Sequence, residues 1–402
     1  MNPEIEQHLI EYIAGQEPGM LALLKELVLI QSGTFNKLGT DRVAKLIRRT
    51  LEPLPLGIES FPQTQYGNIL VAATPAADNT NNILIVGHTD TVFPEDTAFN
   101  GWREDTHRVY GPGVIDMKGG LVLGIYALKA LDSCGQLGQL PLKFIFNTDE
   151  EVGSPVSGPM ISAEAQKSIM AFVLECGGMQ GEVVTGRKGR IGLQLTVRGQ
   201  AGHAAYATTD KPSAILELAH KIIRLEALNG LKSGLTVNVG KIHGGIGPNS
   251  VAESAWAAVD VRFKNQDEAD FFRSRLGEII DLSDIPGTGV RVETAPGRPP
   301  MESTPGNRSL FKVAEIQALK LKMNIGESYR QGVSDANIVA ATGTPVLDGL
   351  GPIGENDHSD KEYMQKDSLV RRCQLFALTL LNCWELNRSD RLFCQPGPCG
   401  IP

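Results

Sequence analysis

The chain lacks several features that would mark its class at once. Its six cysteines (Cys134, Cys176, Cys373, Cys383, Cys394 and Cys399) form no CxxC pair and no dense framework, which argues against a disulfide scaffold and fits a reducing cytoplasm. Cys394 and Cys399 flank QPGP near the tail; they read as free thiols in a loose segment or as a small loop with weak metal affinity. A basic excess is also missing: 38 Lys and Arg face 46 Asp and Glu, for a net charge of -8. Nucleic acid is therefore not an expected partner, and neither is an anionic membrane. No stretch approaches the roughly 18 apolar residues of a membrane span. The start, MNPEIEQHLIEYIAG, is acidic and amphipathic, without the basic beginning and apolar core of a signal peptide.

What is present is the composition of a globular protein, with 42% hydrophobic and 21% charged residues over 402 positions. At about 150 residues per domain this length suggests two to three domains, large enough to bury a core without covalent staples. Residues 4–30 recur at helical spacing with a break expected at Pro18-Gly19, and 42–51 reads as a second amphipathic helix. Short apolar runs at 68–72, 83–86, 142–146 and 171–174 read as strands, with helix-like 120–131 between them. That alternation predicts an α/β domain with a largely parallel sheet.

The pattern changes after Gly186. Strand candidates at 191–197, 235–242, 255–263 and 290–293 enclose helical segments at 212–228, which Pro212 would open, and at 268–280. The order β-α-β-β-α-β suits an inserted α+β open-faced sandwich of ferredoxin-like type, spanning 187–296. A Pro-rich stretch at 297–305 reads as the hinge back, and helices at 309–321 and 368–386 complete the first domain, 1–186 and 297–402.

Three predicted strands end in potential metal ligands: ILIVGHTD in His88 and Asp90, FIFNTDEE in Glu150 and Glu151, FVLE in Glu175. In parallel α/β sheets ligands bind beyond the carboxyl ends of strands, so these side chains are expected to converge. GPGVIDMKGG places Asp116 in a loop before a helix, and GENDHSDKEY supplies His358. Imidazoles with carboxylates suit Zn²⁺ or a related divalent ion. Each piece alone has an ordinary reading, as a solvated turn, a charged surface pair or a helix cap. GPGVIDMKGG also lacks the GxxxxGK[ST] order of a phosphate loop.

Taken together and in order, HTDTV, GPGVIDMKGG, NTDEEVGS, LECGG and HSDKEY resemble the M20 family of dinuclear zinc peptidases, nearest its glutamate carboxypeptidase branch. The likeness runs over essentially the whole chain. It implies a zinc-peptidase-type catalytic domain with a mixed sheet flanked by helices, and an inserted lid and dimerisation domain. It implies two Zn²⁺ per subunit, with Co²⁺ or Mn²⁺ as substitutes: His88 and Glu175 on one, Glu151 and His358 on the other, Asp116 bridging. Asp90 would orient His88 through its second nitrogen. Glu150 would be the general base toward a metal-activated water and the proton donor to the leaving amine, Asp149 replacing it only under a different loop geometry.

By the same likeness His203, in AGHAA, would reach into a partner subunit's site and stabilise the oxyanion, so a homodimer is expected. Asn249, Arg262 and Arg298 match positions that hold the substrate near its carboxylate, for which guanidinium forks are suited. Gly332, in QGVSDAN, would contact substrate as well. Met117 stands where many relatives carry an aspartate, Ala252 where many carry proline, and Cys176 follows Glu175 as a buried thiol or a further ligand. The expected function is a zinc-dependent carboxypeptidase cleaving the amide bond to a C-terminal amino acid, glutamate preferred. An N-acyl-amino-acid deacylase of the aminoacylase or acetylornithine deacetylase kind is the alternative. A catalytically silent metal or peptide binder would be marked by loss of Glu150, which is present.

Overall fold

Runs of apolar residues, too short for helices and bounded by Gly, Asn and Asp, build a six-stranded sheet in this computed structural model, which describes residues 2–78 and 80–393. Cys394 and Cys399 lie outside the described residues. The strand Asn82–His88 is buried at every position, as expected where helices cover both faces. It pairs in parallel with Leu142–Asn147 on one side and Ser168–Val173 on the other, and Val346–Leu347 extends the sheet in parallel. Ile69–Ala73 and Gly57–Phe61 are antiparallel instead. The largely parallel sheet expected from local alternation is thus corrected to a mixed one, the arrangement that the family likeness implied. The physical reason is connection length: Gly57–Phe61 and Ile69–Ala73 follow each other without a helix, so they can join only as a hairpin.

Helices supply the rest of this core. Lys118–Ser133 is buried along most of its length and packs against the long C-terminal helix Lys366–Arg388, which contributes Leu375, Phe376 and Leu380. The expected break at Pro18-Gly19 falls slightly earlier. Pro3–Gly15 ends at Gln16, and Glu17–Val28 takes Pro18 into its first turn, where a missing N–H is not needed. Pro212 does not open a helix either. Ser213 caps Ala214–Glu226 by accepting from the Leu216 N–H, and the proline stands before the cap.

A second unit comprises Arg187–Glu302 and Arg330–Val333, and the chain re-enters the first at Ser303. Its sheet, in the order Thr236–Gly244, Ser254–Phe263, Gly189–Arg198, Gly289–Arg298, is antiparallel throughout. Along Ser254–Phe263 every second residue is buried, under helices Ala214–Glu226 and Gln266–Asp281. One covered face and its own apolar cluster, including Leu195, Leu218, Val261 and Phe272, make this an open-faced sandwich. Among the described residues no helix is long and apolar enough to cross a membrane.

Candidate metal centre

Sheet order explains which side chains meet. His88 ends the central strand, the turn Glu150–Val152 follows its neighbour Leu142–Asn147, and Glu175 lies two residues beyond its other neighbour, Ser168–Val173. Because the three strands run in parallel, their carboxyl ends share one edge. Asp116 arrives from the loop preceding Lys118–Ser133. His358 comes from the connection between Gly354–Glu355 and Tyr363–Gln365, where its own φ is 60°, in the left-handed region.

The contacts fall into two trios that share one carboxylate. His88 Nε2 lies 3.0 Å from Asp116 Oδ1 and 3.6 Å from Glu175 Oε1. His358 Nε2 lies 3.1 Å from Asp116 Oδ2 and 3.4 Å from Glu151 Oε2. Nδ1 of His88 faces the Asp90 carbonyl at 3.0 Å and the Asp90 carboxylate at 3.4 Å. A proton held on Nδ1 leaves the Nε2 lone pair free for an electrophile. Asp90 is wholly buried, and its two carboxylate oxygens also accept from the backbone N–H groups of Glu150 and Glu151. One aspartate thereby orients an imidazole and the turn that carries both glutamates.

The electrostatics are those of a site short of positive charge. Burial, then the charge of Asp116, pushes the carboxyls of Glu151 and Glu175 above their ordinary range. Burial alone would raise Asp116 too, but hydrogen bonds from His358 and His88 hold it well below its ordinary value. Contacts with Asp116 and Glu151 raise His358 to about 11. For His88 burial works the other way, and Asp116, Asp90 and Glu175 overcome it.

Two divalent cations fit these residues. Donor separations of 3.0, 3.1, 3.4 and 3.6 Å bracket the edge of about 3.4 Å that a tetrahedron with bonds near 2.1 Å would have. Glu151 Oε1 is buried without a hydrogen-bond partner, as suits an oxygen reserved for a cation. Asp357 adds a carboxylate near Asp116 and His358 at the exposed rim.

The other expected residues belong to the second unit. His203 lines a cavity of about 520 Å³ with His243, Ile246 and Trp256, and its Nδ1 accepts from the Ala205 N–H at 3.1 Å. The Asn249 carbonyl accepts from the Ala204 N–H, which fixes it beside the His203 segment. Arg262 and Arg190 each donate through Nε to Asp260 at 2.6 Å, so two guanidiniums are held side by side. Arg298 is 4% exposed at the end of its strand, and the Gly332 carbonyl accepts from Arg187.

Several supporting residues are absent from the sequence-based set. Thr34 donates its hydroxyl to Asp90 at 2.8 Å, and Glu362 accepts from the loop of Asp116. Their partners lie 56 and about 246 residues away along the chain, so no local pattern marks them. Glu362 at least lies inside HSDKEY, four residues after His358. Asp149, weighed as a substitute base, is 1% exposed and accepts from the N–H groups of Val156 and Ser157 and the Ser157 hydroxyl. Met117 does more than vacate a polar position, since its sulfur accepts from the His88 N–H at 3.2 Å.

A mixed α/β sheet with imidazoles and carboxylates gathered at its strand ends, plus a separate antiparallel unit, defines a metallohydrolase architecture. The sequence matches the profile of peptidase family M20/M25/M40 over residues 84–382, and the chain belongs to this family. Carboxypeptidase G2 of Pseudomonas sp. (strain RS-16) is 26% identical over 381 residues, covering 93% of this chain and 91% of that protein. Succinyl-diaminopimelate desuccinylase of Stutzerimonas stutzeri (strain A1501) is 26% identical over 322 residues, covering 75% and 82%. The fold is shared with aminopeptidase PepT from Bacillus cereus ATCC 10987, at a TM-score of 0.76 and 22% identity over 90% of this chain and 97% of that one. It is also shared with the M20 metallo-carboxypeptidase Sso-CP2 from Sulfolobus solfataricus, at a TM-score of 0.72 and 18% identity over 90% and 98%.

Proposed function

We propose that the protein is a zinc-dependent carboxypeptidase that hydrolyses the amide bond to a C-terminal amino acid, with glutamate preferred. The observation that carries this reading is the pair of trios sharing Asp116, with Glu150 in the same turn as Glu151. His88 and Glu175 would hold one Zn²⁺, His358 and Glu151 the other, and Asp116 both. When bound, such a pair lowers the pKa of water toward about 7 and draws electron density from the scissile carbonyl.

The chain's own groups do the rest. Glu150, kept beside the centre by the Asp90–N–H contact, takes the proton of the attacking water and passes it to the amide nitrogen as the C–N bond breaks. Asp90 keeps His88 in the required tautomer. His203 of a partner subunit steadies the oxyanion. Exposed Ile223, Ile242 and Ile246 on one helix, the edge strand and the loop after it support self-association of the second unit. Arg262, Arg298 and Asn249 receive the substrate's terminal carboxylate, and Gly332 contacts the substrate. Similarity to carboxypeptidase G2 over nearly the full chain supports the carboxypeptidase. Similarity to succinyl-diaminopimelate desuccinylases keeps the N-acyl-amino-acid deacylase as a second reading.

The test is amino acid release by zinc-loaded protein from acyl-glutamates, folate-type conjugates, dipeptides, N-acetylornithine and succinyl-diaminopimelate. Each is paired with its twin amidated at the carboxylate. Release of glutamate that is lost on amidation is expected. Preference for the acylated diamino acids would move the assignment to the deacylase, and no release with two zincs bound would overturn both.

A further inference from the structure

We propose that Glu362 is the positioning residue of the shared carboxylate, holding the Asp116 loop so that each Asp116 oxygen faces a different imidazole. The inference rests on the reading of Asp116 as a ligand common to two cations. Asp116 belongs to an irregular loop, which by itself gives its side chain no fixed direction. Glu362 is fully buried and accepts three backbone N–H groups of that loop. Oε2 takes Gly113 at 2.9 Å, and Oε1 takes Ile115 at 2.9 Å and Asp116 at 3.1 Å. The loop needs its own turn to present them. Gly113 has φ +73°, and a Cβ there would come within 2.6 Å of the Thr91 methyl and 3.1 Å of the Asp116 carbonyl.

Glu362 is also tied to the second imidazole. Its N–H donates to the Ser359 carbonyl, one residue after His358, so a single five-residue segment supplies His358 and clamps the carboxylate between the imidazoles. Simple cohesion does not require this. Tyr363–Gln365 already pairs with Arg108–Tyr110, the strand that leads into the Asp116 loop, so the two segments are joined without Glu362. What the glutamate adds is three hydrogen bonds accepted by two oxygens, which fix the loop's orientation. Glutamine cannot reproduce them, because its NH₂ would face at least one of the N–H donors.

Metal titration of the chelator-treated protein tests the role. Co²⁺ is the probe, followed by its visible absorption and by calorimetry, with Zn²⁺ competition. Wild type should bind two ions. Glu362→Gln should weaken both together, by about 10–100-fold, since the ligand affected is shared. A core truncation far from the centre, Leu381→Ala, should lower thermal stability and leave Co²⁺ affinity unchanged. Unaltered affinity in folded Glu362→Gln would overturn the proposal while leaving the centre intact. Wild type binding no Co²⁺ would sink the centre itself and this inference with it. If Glu362→Gln does not fold, Glu362→Asp keeps both carboxyl oxygens with a shorter reach and should show the same joint weakening. Unchanged affinity in that variant would overturn the role. So would failure of both to fold even in saturating Zn²⁺, which would assign Glu362 to folding alone.

Discussion

Glu150 and Glu151 are identical side chains one residue apart, yet the turn after Leu142–Asn147 separates their tasks. Glu151 points an orphaned buried oxygen and a second oxygen, 3.4 Å from His358, into the cluster. Glu150 belongs to neither trio. Glu150→Gln should therefore retain two zincs by elemental analysis while turnover falls by about 10²-fold or more, the usual worth of a proton shuttle. Glu151→Gln should lose metal first. Normal turnover in Glu150→Gln would remove its role as base. His88, Glu151 and Glu175 were legible because each follows an apolar run, where an α/β sheet puts its ligands, whereas Asp116 and His358 lie in loops and were marked only by their motifs. Thr34 and Glu362 were not, because a hydrogen bond formed across 56 or about 246 residues leaves no periodic trace.

Elements show the same division. Strands that bury both faces were read from their unbroken apolar runs, as with Asn82–His88. Gly57–Phe61 escaped because it is an edge strand with little burial and no alternation. The helix Ala214–Glu226 was recognisable from its spacing, but spacing gave no sign that Lys221 and Glu217 are buried, 2.8 Å apart. Lys221 and Arg224 both reach Asp284 as well, at 3.1 and 2.6 Å. Burial opposes ionisation of Asp284, but these hydrogen bonds win and hold its carboxyl below the ordinary value. A lowered native pKa gives stability that is full above the ordinary carboxylate value of about 4 and fades as pH falls through the native value. Asp284→Asn should cost about 1.5–3 kcal/mol at pH 7, the worth of hydrogen bonds to a charged group. The difference from wild type in denaturant unfolding should shrink at pH 3. An equal difference at both pH values would place the effect elsewhere.

At the scale of the whole molecule, two units with separate apolar cores predict two unfolding transitions. In the first unit without metal, Glu151 and Glu175 are raised, and so are His88 and His358. Raised native pKa values mean that the folded state binds more protons than the unfolded one, so stability falls as pH rises. Asp116, with its lowered value, opposes this only at acid pH, and Lys118, which burial lowers to about 7, opposes it only from about pH 7 upward. The chelated protein should therefore show a first-unit transition that moves down in temperature between pH 5 and pH 8. Asp284 gives the second unit the opposite dependence, confined to acid. Saturating Zn²⁺ acts on the first transition alone. At about 1,000 times Kd the linkage is worth about 4 kcal/mol, or on the order of 10 °C for a unit of this size. The gain should be larger at pH 8 than at pH 5, because at pH 5 protons compete with the metal for the same buried oxygens and nitrogens. Differential scanning calorimetry of the chelated and zinc-loaded protein at both pH values reads all of this. A zinc shift in both transitions, or one independent of pH, would mean that the metal is not held by this buried cluster.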